Sequence, residues 1–170
     1  MTRLVLPLTA AALLAVGCRG EPDFRKTYSV TGTLTVNGAP AEPGVVVYLI
    51  PQFTETDKYP IHPRGATGDG GAFKITTYNT DDGAPAGEYV ATVEWPQRNG
   101  LSSYASGDLF GGAFAKAEVN KGNPDFQVTV AKPGATVVIR LTLSAEQLRA
   151  IEAGKKRGAG KAVGFNLSGQ

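Results

Sequence analysis

Cysteine and histidine are almost missing: the 170-residue chain has one of each. A single Cys excludes an internal disulfide. A single His excludes a histidine-based metal site and any relay that needs two imidazoles. No Ser- or Cys-nucleophile motif accompanies that His. No segment has the spacing of an EF-hand loop. Charge is sparse and balanced, with 17 basic and 15 acidic residues and a net charge of +2. Without a basic stripe the chain does not read as a dedicated nucleic-acid binder. Long hydrophobic runs are missing too. The longest, Leu4 to Val16, has 13 residues, short of the roughly 20 that span a bilayer.

Present instead are 22 Gly and 11 Pro set among short Val- and Thr-rich runs, with 42% apolar residues. That composition suits one folded domain rich in turns between strands. The N-terminus reads as an address. Arg3 and the apolar run form an export signal over 1–17. Leu14-Ala15-Val16-Gly17-Cys18 is similar to a bacterial lipobox, whose Cys is lipidated and becomes the first mature residue. Lipidation also explains an unpaired Cys in an exported chain. The expectation is a cell-envelope protein held to a membrane through Cys18, with 18–27 as the tether. Arg19, in place of an Asp, favours the outer membrane or periplasmic face.

The body, 28–143, alternates with period two. Tyr28, Val30, Leu34 and Val36 face one way and Ser29, Thr31, Thr33 and Thr35 the other. Asn37-Gly38 follows as a tight turn. Val45 to Ile50 is apolar on both faces and reads as a central strand. Gly65 to Thr67, Ala72 to Thr77, Glu88 to Trp95, Phe126 to Val130 and Val137 to Leu143 complete a set of seven. Glu88 to Trp95 is expected to bury one face, through Tyr89, Ala91, Val93 and Trp95. The predicted fold is all-β, a seven-stranded antiparallel β-sandwich. Pro96 to Pro124 lacks alternation and is long for a loop. Ser144, with Gln147 three residues on, forms a capping box for a short C-terminal helix that Gly154 would end. A basic, flexible tail with Lys155, Lys156, Arg157 and Lys161 follows, within 144–170.

Several pieces together resemble one family. Val30-Thr-Gly32, Val36-Asn37-Gly38-Ala39-Pro40 and Val45 to Leu49 are similar to the opening strands of transthyretin-like, or carboxypeptidase regulatory-like, domains of small bacterial lipoproteins. Thr67 to Phe73 is similar to their "T-x-D-G-x-F" hairpin with one extra Gly. Asp82 to Tyr89 is similar to their "G-x-P-x-G-x-Y" strand entry. The resemblance covers about 28–143 and implies a prealbumin-like sandwich that serves as an accessory or binding module. The purine-degrading hydrolases of that family use several His, so their activity does not carry over to a chain whose only His is His62.

Three groups of residues are candidates for a site. Glu55, Asp57, Asp81 and Asp82 lie in loops expected at one end of the sandwich, where carboxylates suit Ca²⁺; they also suit plain turns. Asn37, Asp69 and the 96–124 segment are expected at the other end. There Trp95, Arg98, Tyr104 and Phe110 form an aromatic binding surface, or the aromatics belong to the core. The tail offers contact with anionic lipid headgroups, or stays solvated. The expected function is a non-catalytic envelope lipoprotein, a binding or structural module with a protein or glycan partner and no cofactor. The alternative is a calcium-dependent or carboxylate-based hydrolytic module at the 55–57/81–82 end. Oligomeric state stays open.

Overall fold

Strand β1 (Thr27–Val36) carries the cleanest alternation and becomes the spine of the fold. Val30 and Leu34 are buried while Ser29, Thr31 and Thr33 stay in water. The computed structural model describes residues 24–53, 60–98 and 105–161. Cys18, Glu55, Asp57 and Tyr104 lie outside them. After β1 the chain reverses through Asn37 and Gly38, with φ of 50° and 83°. Two positive φ values make this the turn that matches strand twist. It leads into β2 (Ala39–Pro40), which pairs back on β1.

The other strands are β3 (Val46–Pro51), β4 (Arg64–Ala66), β5 (Ala72–Lys74), β6 (Ala84–Pro85) and β7 (Gly87–Glu94). Then come β8 (Pro96–Arg98), β9 (Ala105–Asp108), β10 (Gln127–Val130) and β11 (Gly134–Leu141). The described residues thus hold eleven strand segments rather than seven. The extra ones are short pieces: β6, β5 and β2 share one edge of the long β1. The second sheet runs β10-β7-β3-β4, and β8 pairs with β9 alone.

The pairing is antiparallel except between β1 and β11, which run parallel from Ser29↔Gly134 to Val36↔Leu141. This departs from the all-antiparallel expectation. The chain leaves β10 through a short turn at Lys132-Pro133 and enters the other sheet, so β11 reverses β10 and matches β1. Local periodicity carries no information on that crossing.

Strand β7 buries both faces. Tyr89, Ala91 and Val93 meet Val47 and Leu49 in the core, while Val90 and Thr92 are buried on the opposite face. On that face Tyr48, Ile50 and Gln127 stand beside them in register. Each fully buried aliphatic side chain contributes about 1.5–3 kcal/mol, against a chain-entropy cost of similar total size.

Residues 114–120 cap a sheet edge. β10 covers the edge of β7 only as far as Val90. Beyond it, Val93 donates its N–H to the Phe114 carbonyl at 3.0 Å. Helix α1 (Ala117–Asn120) ends in a buried Asn120, whose amide donates to the carbonyls of Ala91 at 3.0 Å and Phe114 at 2.9 Å. The Phe114 carbonyl and the Asn120 side chain together take the place of a strand along this stretch of β7.

Helix α2 (Ala145–Lys161) begins with the expected capping box: Ser144 N–H to Gln147 Oε1 at 2.8 Å, and Gln147 N–H to Ser144 Oγ at 3.2 Å. It does not stop at Gly154. The helix runs through it, because Gly154 is a contact point and not a terminator. A Cβ there would lie 2.5 Å from Leu109, and its carbonyl accepts from Gln97 Nε2 at 2.7 Å. No helix among the described residues is long and apolar enough to cross a membrane.

Candidate functional site

The chain leaving β3 at Gln52 and Phe53 and the loop after β5 lie at one end, the end where β1 starts; Glu55 and Asp57 lie outside the described residues. Phe53 packs edge-on against Tyr89, and Phe24 stacks on Tyr78. Of the four candidate carboxylates, the two that are described, Asp81 and Asp82, are already engaged. Asp82 accepts from the backbone N–H groups of Thr77, Tyr78 and Asn79 at 2.7, 3.1 and 3.0 Å. This fixes a tight turn of the kind Asp favours. Asp81, at φ 60°, pairs with Lys74 at 3.1 Å. Among the described residues no cluster of three or more acid, His or Cys side chains is arranged to hold a metal ion. His62 is exposed in the loop before β4, between buried Ile61 and Pro63.

At the opposite end Phe110 is core, 5% exposed, between the rings of Trp95 and Phe114 at 5.7 Å from each. The chain reaches it through Asp108, whose carboxylate accepts from the N–H groups of Trp95, Phe110 and Gly112. The aromatic surface expected there is therefore turned inward at Phe110. Arg98 sits on β8 opposite Ala105. Trp95 is half-buried beneath Lys155, whose ammonium lies 4.7 Å from the ring centroid and pairs with Glu42 and Glu152. Burial works against the charged Lys155, but hydrogen bonds and charge from the two glutamates outweigh it and hold its pKa above the ordinary lysine range.

A further hollow lies elsewhere, on the outside of the corner where the two sheets meet. Arg64 and Thr76 exchange backbone hydrogen bonds at 3.0 and 2.8 Å, joining β4 to the chain just after β5. The close approach needs Gly65, since a Cβ there would lie 2.1 Å from the Lys74 carbonyl oxygen. Gly65, Ala66, Gly68 and Ala72 form a floor almost without side chains. Thr31, Thr33 and Thr136 form one wall, and Val46 and Tyr48 the other. The result is a cleft of about 790 Å³, within the size range of small-molecule sites.

A second hollow of about 340 Å³ adjoins it, lined by Ile50, Phe53, Ile61, His62 and Pro63. Tyr48 borders both. Alternation along β3 puts Val46, Tyr48 and Ile50 on one outward strip, with Ile50 38% exposed. The strip spans about 13 Å at roughly 3.3 Å per residue.

Among the described residues, the side chains of Thr31, Thr33, Thr136, Tyr48 and Arg64 have no hydrogen-bond partner in the fold. Lys74 at the cleft is matched by Asp81; Arg64 has no ion pair. Burial and the Glu94 carboxylate push the Tyr48 phenol above its ordinary pKa, against the Arg64 guanidinium. Tyr48 is thus a neutral hydroxyl at physiological pH. The cleft offers a mostly apolar wall, a tyrosine, several hydroxyls and one uncommitted cation.

Sequence reasoning missed Tyr48 and Arg64. A signal existed: an outward Val-x-Tyr-x-Ile strip beside a run of Gly and Ala at 65, 66, 68 and 72. No family model, curated protein or solved structure matches the chain.

Proposed function

We propose that the chain is a non-catalytic binding module of the cell envelope, lipid-anchored through Cys18, that holds an elongated ligand in the cleft between β1 and β3. The observation that carries this reading is the convergence of unpartnered hydroxyls, Tyr48 and Arg64 in one hollow of ligand size. The carboxylates Asp82 and Asp108 are spent on backbone N–H groups, which weighs against carboxylate chemistry and against a calcium site built on Asp81 and Asp82. The path β10-β7-β3-β4, continued through Arg64–Thr76 to β5, β1 and β11, counts seven strands. That count supports reading the body as a transthyretin-like sandwich.

The tether would enter beside Tyr78, at the end opposite α2. Anchoring at Cys18 therefore sets the start of β1 toward the membrane and α2 away from it.

Two experiments test the reading. Detergent phase partitioning of the full chain from a bacterial host should place wild type in the detergent phase and Cys18→Ala in the aqueous phase; wild type in the aqueous phase overturns the anchor. A glycan and peptide array should give hits that Tyr48→Ala abolishes. Hits unaffected by Tyr48→Ala place binding outside the cleft and overturn the site.

A further inference from the structure

The backbone around the cleft decides between two kinds of elongated ligand. A peptide gains most of its affinity on a sheet by adding a strand to an open edge. Here β1, β3 and β4, the strands that border the cleft, have no open edge; the edge strand β11, which carries Thr136, has its unpaired side facing away from the cleft across β1. β1 is paired with β11 on one side and β5 on the other; β3 lies between β7 and β4; Arg64 and Thr76 close the outer edge of β4. What remains for a ligand is side-chain chemistry. Threonine hydroxyls donate and accept alike, and so match a ligand that is itself a row of hydroxyls. Tyr48 adds an aromatic body with a polar tip. The Gly and Ala floor leaves room for ring-sized groups between the walls.

Arg64 adds a charge requirement. Lys74 is neutralised by Asp81, so the cleft keeps one uncommitted guanidinium beside Tyr48. A guanidinium presents a planar fork that matches a carboxylate with two parallel hydrogen bonds.

We propose, building on the binding reading above, that the ligand is an acidic polysaccharide whose carboxylate sits on Arg64 and whose sugar rings lie along the Val46–Tyr48–Ile50 strip.

The test is an NMR titration of full-length Cys18→Ala protein with tri-galacturonate and tri-mannuronate. Carboxyl-reduced forms of both trisaccharides and hexaglutamate are titrated beside them. The expected result is amide shifts at Thr31, Tyr48 and Arg64 with the acidic sugars. Carboxyl reduction and Arg64→Ala should each weaken binding by about tenfold or more, with partial recovery in Arg64→Lys. Arg64→Ala should melt like wild type, since the exposed side chain has no partner to lose. Equal binding of the reduced sugars overturns the acidic assignment and leaves the cleft as a glycan site. Cleft shifts with hexaglutamate but with no sugar overturn the glycan class and leave the cleft as a binding site. No cleft shift with any probe overturns this inference and the cleft reading together.

Discussion

Asn120 offers the sharpest test of how the sheet is finished. It is 3% exposed and gives its amide to the Ala91 and Phe114 carbonyls. The Phe114 carbonyl has a second donor in Val93 N–H, so it survives the loss of one. The Ala91 carbonyl is in a fully buried residue on the part of β7 that β10 does not reach. Asn120→Ala removes two hydrogen bonds and orphans that oxygen. A net hydrogen bond is worth about 0.5–1.5 kcal/mol and an orphaned buried acceptor costs about 1–3. The expected loss is about 2–4 kcal/mol. At a urea m-value of about 2 kcal/mol/M this lowers the unfolding midpoint by roughly 1–2 M with m unchanged.

Asn120→Asp keeps the shape and replaces the donor with an acceptor that faces two carbonyls. It should be worse than Ala at neutral pH. Burial raises the folded pKa of the introduced carboxylate above its unfolded value near 3.9. The deficit is therefore full above the folded pKa and shrinks as pH falls through it, because the folded state gains a proton and with it a donor. Urea melts of both variants at several pH values decide the matter. A midpoint drop below about 0.3 M for Asn120→Ala, or an Asn120→Asp variant more stable than Asn120→Ala at neutral pH, would refute the reasoning.

Four more outcomes follow from the same geometry. Gly65→Ala places a methyl 2.1 Å from the Lys74 carbonyl oxygen; backbone does not yield as a side chain does, so the cost is about 1–3 kcal/mol, and hydrogen exchange at the Arg64 and Thr76 amides should speed up. Lys155→Met removes the cation from the face of Trp95, the chain's one tryptophan, and should shift its emission and lower stability by about 1 kcal/mol after discount for exposure. Because the folded pKa of Lys155 is raised, that difference should hold below the unfolded value near 10.4 and fade as pH climbs through the folded one. Asp82→Ala strips three backbone N–H groups of their acceptor and should cost about 1–2 kcal/mol, part of it recovered by water; millimolar Ca²⁺ should leave the wild-type melting temperature unmoved. Thr31→Val should change stability by less than about 0.5 kcal/mol while weakening cleft binding, whereas Thr67→Val, which loses bonds to Val45 N–H and the Glu42 carbonyl, should cost about 2–3 kcal/mol.

Local features were legible in the sequence wherever neighbours along the chain decide them. The alternation of β1 reports its own faces, Asn37-Gly38 reports its own φ values, and Ser144 with Gln147 reports its own cap. Features decided by a distant partner were not. The parallel run of β11 on β1 depends on which sheet the chain enters after β10. Burial of Val90 and Thr92 depends on Tyr48, Ile50 and Gln127 beside them. Gly154 looks like a helix stop until Leu109 is seen against it. Asp82 looks like a free carboxylate until its own turn is folded around it. The cleft was hidden for the same reason: its two walls lie on β1 and β3, and its floor comes from residues too small to attract attention.

The polar side chains separate into two kinds, and the separation itself argues for the site. Asn37 clasps Leu143, accepting from its N–H at 2.8 Å and donating to its carbonyl at 3.1 Å. Thr67, Asp82, Asp108 and Asn120 likewise each close backbone groups that no strand or helix reaches. These residues sit where regular structure ends, and the fold accounts for their chemistry. Thr31, Thr33, Thr136, Tyr48 and Arg64 sit where regular structure is complete. Thr31, Thr33, Tyr48 and Arg64 lie on strands flanked on both sides and Thr136 on the edge strand β11, and none of these side chains satisfies a backbone group. Scattered over a surface, such residues would be ordinary strand exteriors. Here β4 and β5 are each three residues long and carry Gly65, Ala66 and Ala72, so the sheet corner dips between two taller walls. The hydroxyls of β1 and the Tyr48–Arg64 pair then face a common space. Ala66 and Ala72 are both exposed, so core packing does not set the size of the side chains there. Small residues at those two places leave the cleft open with its donors uncommitted, as the proposed binding role requires.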